Sequence, residues 1–144
     1  MRLKHVAITL SALVFMVAFA QPLAAQERFV KLHNGIVKDT QTGLEWFAAD
    51  DRDMDWHTAK RWVQRLALAG GGWRMPAVSE LAALFQETKV TFFAEMDAVS
   101  IWSAHALDES AEEVLVFNVE MGFEAPVPPA VDSFNRAMAV RKRP

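Results

Sequence analysis

The chain contains no cysteine. No disulfide can staple the fold and no thiolate can gather zinc, so packed apolar side chains must supply the whole interior. The same absence excludes a cysteine nucleophile and an acylated lipoprotein anchor, both of which need a thiol.

The amino terminus sharpens that constraint because it reads as an export signal. Arg2, Lys4 and His5 form a basic start, and Val6 to Ala20 is apolar apart from Thr9 and Ser11. Gln21 and Pro22 break the run, and Leu23-Ala24-Ala25 ends on small residues. This is the three-part pattern of a secretory leader, with cleavage expected after Ala25, or else after Ala24. An uncleaved anchor is the alternative, but about 15 apolar residues fall short of the roughly 20 that span a bilayer. Residues 1–25 are therefore expected to be a signal peptide, and residues 26–144 one domain in the periplasm or outside the cell. That domain is not expected to insert stably into a membrane.

Removing 25 residues from 144 leaves 119, enough for a single self-supporting core. Two of the 15 basic residues and none of the 18 acidic ones lie in the leader, so the remainder carries 13 against 18, a net charge of −5. A mildly acidic domain is a poor ligand for nucleic acid. Arg141-Lys142-Arg143 reads as a solvated tail.

Short strands open the domain. Phe29–Leu32 and Ile36–Asp39 flank a His33-Asn34-Gly35 turn, and Asn-Gly is a strong hairpin signal. Thr40–Gly43 is a second turn and Leu44–Phe47 a third strand. Residues 56–68 have helical periodicity, with Trp56, Ala59, Val63 and Leu66 on one face, Asp55 as N-cap and Gly70-Gly71-Gly72 as terminator. A second helix is expected from Val78 to Gln86. Strands return at Ile101–Ser103, Glu113–Val119, Phe123-Glu124 and Ala137–Arg141, while Ala125–Pro129 reads as an extended surface loop. Short antiparallel strands bracketing two helices make an α+β domain.

Several segments carry a resemblance. Gly35-x-Val37-x-Asp39-x-x-Thr42-Gly43-Leu44-x-Trp46 comes first, then Trp56-x-x-Ala59, then Gly72-Trp73-Arg74-Met75-Pro76-x-x-x-Glu80-Leu81. Trp102-Ser103, Phe117, Gly122 and Val140-Arg141 follow. In this order they resemble the Lcl C-terminal domain family, named after a bacterial collagen-like adhesin. The resemblance implies a compact C-type-lectin-like fold, related to that of formylglycine-generating enzymes, and an association with adhesion and glycan binding. The chain departs from the family twice. Ala77 stands where a capping Thr or Ser is common, so Glu80 keeps only half of a capping box. The cysteine chemistry of the formylglycine-generating relatives is absent.

The candidate site residues each have a simpler account. Asp50, Asp51, Asp53 and Asp55, with His57, could gather calcium or another metal, and a metal-dependent enzyme at residues 50–57 is one alternative function. The EF-hand pattern fails, since Trp56 and Trp62 stand where Gly and Glu belong counting from Asp51. A solvated acidic loop at a helix start is the plainer reading. Among the five tryptophans, Trp62 lies off the main apolar face and is the candidate for stacking on a sugar. Arg74 could hold a ligand carboxylate, but an internal pair with Glu80 or Asp39 is simpler. Ser103 lacks a nucleophile elbow, and the three glycines lack a P-loop lysine. The expectation is a noncatalytic exported binding module without a cofactor, meeting a glycan or an envelope protein. A structural accessory with an apolar patch at Phe92-Phe93 is a further alternative.

Overall fold

The computed structural model describes residues 27–50, 52–87 and 100–143. The leader, Asp51 and the Phe92-Phe93 patch lie outside the described residues. Along the chain run β1 (Phe29–Lys31), β2 (Val37–Asp39), β3 (Leu44–Ala48), α1 (Trp56–Arg65), a 3-10 turn (Leu68–Gly70) and α2 (Val78–Glu87). Then come β4 (Ser100–Ala106), β5 (Val114–Asn118), β6 (Phe123–Val127), β7 (Asn135–Arg136) and β8 (Met138–Lys142). The strands form two four-stranded sheets, ordered β1-β2-β3-β8 and β6-β5-β4-β7. The domain is thus mixed α and β, compatible with the expected α+β class.

Local chemistry sets the first sheet. Gly35 takes a left-handed φ of 81° in the β1–β2 turn, and a side chain there would meet the Phe47 ring at 3.4 Å. Asp39 closes the next turn by accepting the Gln41 N–H at 2.9 Å, and it also receives the Arg28 guanidinium at 2.9 and 3.1 Å. These ties hold β1 to β2 and fix the register that sets Val37 opposite Trp46 and Trp46 opposite Val140.

Neighbouring residues on the central strands face two different interiors, since side chains alternate across a strand. Ile101 packs with Val37, Trp46, Leu81 and Phe117, whereas Trp102 packs with Trp56, Val63, Trp73 and Val116. Met138, Ala139 and Val140 alternate between the same two clusters. Both sheets are therefore covered on both faces at their centres, which explains the apolar run from Ala137 to Val140 leading into Arg141.

Three expectations need correction. Helix α1 ends at Arg65, not residue 68, because Leu66 turns extended (φ −70°, ψ 104°) and the chain tightens into a 3-10 turn before Gly70, Gly71 and Gly72. The proline segment is not all loop, since Ala125, Pro126 and Val127 belong to β6 with Pro126 opposite Leu115. Proline has no N–H for a ladder, and an edge strand is where that lack is tolerated. Finally, Arg141 is no part of a solvated tail: it is 4% exposed and lies opposite Glu45 in the sheet.

Candidate functional site

Three indoles are held by their own N–H groups, which need partners once buried. Trp56 donates to the Ser103 carbonyl at 2.9 Å, Trp73 to Leu68 at 2.9 Å and Trp102 to Met54 at 2.6 Å. The Trp73 segment is placed by β8, because Arg74 and Val140 exchange backbone bonds of 3.0 and 2.9 Å. Arg141 then clamps the glycine turn beside it. Its guanidinium donates to Glu45 at 2.7 Å and to the Leu68, Ala69 and Gly71 carbonyls, while its Cζ sits 4.2 Å from the centre of the Trp73 ring.

A cleft of about 340 Å³ opens between α1 and this segment. Trp56, Lys60, Val63 and Gln64 line it from one face of α1, as side chains three and four apart do. Trp73 and Met75 form the facing wall, and Arg74 stands at the mouth. Lys60 Nζ lies 4.8 Å from the centre of the Trp56 ring, a cation–π arrangement across the entrance.

Arg74 is oriented from behind. Both its terminal nitrogens meet Glu80, at 2.7 and 2.6 Å, and Glu80 also accepts the Ala77 N–H at 2.9 Å at the start of α2. The Arg74 guanidinium holds the Glu80 carboxyl below its usual value, outweighing the opposite pull of burial. Glu80 in turn raises the pKa of Arg74. Of the two partners expected for Arg74, the fold chooses Glu80, and Asp39 takes Arg28 instead.

The described acids of the loop, Asp50, Asp53 and Asp55, do not converge. Asp50 is exposed and meets Arg52 at 3.3 Å, Asp53 pairs with Arg136, and Asp55 caps α1. The Asp55 carboxylate accepts the Thr58 N–H at 2.7 Å and its hydroxyl at 2.9 Å, and the backbone N–H is the leading cause that holds its pKa low. His57 is exposed, edge-on to Trp56 with centroids 5.3 Å apart. Among the described residues no three His, Asp or Glu side chains gather where they could hold a metal. Ser103 is fully buried, with its hydroxyl donated to the Leu115 carbonyl at 2.7 Å.

Trp62 is half-buried and stacks on Phe47 at 6.2 Å, and Phe47 in turn meets Trp73 at 6.2 Å. It therefore backs the wall of the cleft from outside. Sequence reasoning missed Lys60 and Gln64 as rim residues and Glu45–Arg141 as the support of the Trp73 wall. The signal for the rim was their spacing from Trp56 on one helix. The signal for the pair was a charged residue inside each of two apolar strands.

Two four-stranded sheets with two helices and an aromatic cleft define a class by architecture, which does not by itself assign a chemistry. The Lcl C-terminal domain model matches residues 35–141, most of the chain, and the protein belongs to that family. No curated protein matches the sequence.

Proposed function

We propose that this protein is an exported, noncatalytic binding module of C-type-lectin-like fold, acting in the periplasm or outside the cell after loss of residues 1–25. Its ligand occupies the cleft between Trp56 and Trp73. The carrying observation is that cleft's composition: indole walls held at a set depth by buried N–H bonds, with Lys60, Gln64 and Arg74 at the mouth. Mostly apolar walls with a few oriented polar groups are the usual make-up of a small-molecule site. A sugar ring suits it, with its C–H face against an indole and its hydroxyls towards the rim. This favours a glycan over an envelope protein, whose side chains would need a wider surface.

Tryptophan fluorescence of the mature domain, titrated with a panel of glycans and with envelope extracts, tests the reading. We expect at least one saccharide to shift the emission saturably. Lys60→Ala with Gln64→Ala should weaken that response about tenfold, equivalent to the loss of one good hydrogen bond. A panel that leaves the emission unchanged throughout removes the proposal.

A further inference from the structure

Asn34-Gly35 is the only Asn-Gly step in the chain. Besides shaping a turn, that step carries chemistry of its own. Glycine has no side chain to shield its backbone nitrogen or restrict its torsions, so the nitrogen can swing onto the neighbouring carboxamide. The Gly35 nitrogen then bonds to Asn34 Cγ, and ammonia leaves with the proton that the nitrogen gives up. Water opens the cyclic imide that results. Opening at Cγ gives aspartate, and opening at the main-chain carbonyl gives isoaspartate. The sum is amide plus water to acid plus ammonia, with no change of oxidation state.

The folded turn opposes the first step. The Gly35 N–H donates to the Leu32 carbonyl at 3.0 Å, so the proton that must be lost is held. Asn34 Oδ1 accepts the Ile36 N–H at 3.3 Å, which fixes the carboxamide. The Leu32 N–H donates to the Ile36 carbonyl at 2.7 Å and closes the loop around both. Attack requires these bonds to part. The hairpin is placed where parting is easiest, because β1 is a short strand at the edge of its sheet. Asn34 is half-buried and Gly35 exposed. Such segments open locally at a smaller free energy than the whole domain.

We propose that Asn34 is a self-modifying site that the closed β1–β2 turn holds unreactive, so that its conversion records opening of this hairpin. The two products differ in consequence. Aspartate keeps an oxygen for the Ile36 N–H and adds one negative charge beside the exposed His33. Isoaspartate lengthens the main chain by one carbon between positions 34 and 35. The turn lies against the Phe47 ring, which is 3.4 Å from where a Gly35 Cβ would stand, and Phe47 contacts both Trp62 and Trp73. Isoaspartate therefore disturbs the packing behind the cleft wall, whereas aspartate leaves it in place. This chemistry is independent of what the cleft binds.

The test incubates the mature domain at mildly alkaline pH, either native or unfolded in urea. Cutting after lysine then releases residues 32–38 as one peptide. Its gain in mass measures conversion, and labelling by an isoaspartyl methyltransferase measures the isoaspartate share. We expect native conversion to run at least about tenfold slower than unfolded conversion. Asp39→Asn, which weakens the Arg28 tie between β1 and β2, should speed native conversion severalfold. Asp55→Ala, which loosens α1 and leaves the hairpin alone, should not. Asn34→Gln, whose longer side chain closes a ring poorly, should remove the mass gain. Equal rates in the native and unfolded chains, or no conversion even in urea, overturn the proposal. So does equal acceleration by Asp39→Asn and Asp55→Ala, which would assign the reaction to global unfolding.

Discussion

Replacing Arg141 with methionine should cost about 3–5 kcal/mol, the usual penalty for removing one member of a buried ion pair. The side chains of Arg141 and Glu45 are 4% and 8% exposed, so neither charge has water to fall back on. Methionine would fill the space of the aliphatic stem but leave the Glu45 carboxylate, among the described residues, with only the Arg143 Nε, 3.7 Å away. It would also release the Leu68, Ala69 and Gly71 carbonyls, the shortest of those bonds being 2.6 Å. Ala69 and Gly70 are exposed, so water can reach that turn, and the unpaired carboxylate carries most of the loss. Urea unfolding at neutral pH reads the effect. With a slope of about 2 kcal/mol per molar, the midpoint should fall by roughly 2 M. Glu45→Met combined with Arg141→Met should recover at least about 2 kcal/mol, because it removes the stranded charge. A single variant losing under about 1 kcal/mol would refute the reasoning. A double variant no better than the single would show that the carbonyl clamp, not the charge pair, holds the turn.

Further predictions follow from the caps and the carboxylates. Ala77→Ser restores the missing hydroxyl opposite Glu80 and should stabilise the domain by about 0.5–1 kcal/mol in the same urea assay. Asp55→Ala removes the two bonds to Thr58 and should cost about 1 kcal/mol, read as a lowered midpoint with an unchanged slope. Asp39, Asp55 and Glu80 are all held below their ordinary values of 3.8, 3.8 and 4.5, so their stabilisation is complete above those values and is lost as pH falls through the lowered ones. Thermal melts should therefore hold steady near neutrality and drop below about pH 5, with a shallower drop in Asp39→Asn. Millimolar calcium or zinc should leave the melting temperature unchanged, because Asp50, Asp53 and Asp55 each face a different partner. A rise would show a bound ion.

Much of this arrangement was legible locally, and the parts that were not share a physical cause. The hairpin at Gly35, the Asp39 turn, the Asp55 cap and the Arg74–Glu80 pair all join residues within a few positions of one another, or along one motif. Spacing alone carries such contacts. Glu45 and Arg141 are 96 positions apart, and their pairing exists only because β8 returns beside β3. Read along the chain, Arg141 begins a basic run, and nothing in that run shows that its first member turns inward. Pro126 was hidden for the converse reason. Proline argues against a strand interior, and only knowledge that β6 is an edge removes the objection.

The ligand is harder still to read, for a reason rooted in the tryptophans. Trp56 and Trp73 are 5% and 8% exposed, so the fold needs them as core whether or not the cleft is used. Motif positions filled by such residues are explained by packing before any ligand is invoked. The side chains free to report a ligand are Lys60 and Gln64, which lie at the cleft with no part in the core clusters. Relatives that keep the indoles while varying these two positions would share the fold and differ in what they bind. Specificity in this domain should accordingly move with residues 60 and 64, and stability with the indoles and the Glu45–Arg141 pair. Exchanging both rim residues should change ligand preference while moving the urea midpoint by no more than an ordinary surface substitution, about 0.5 kcal/mol.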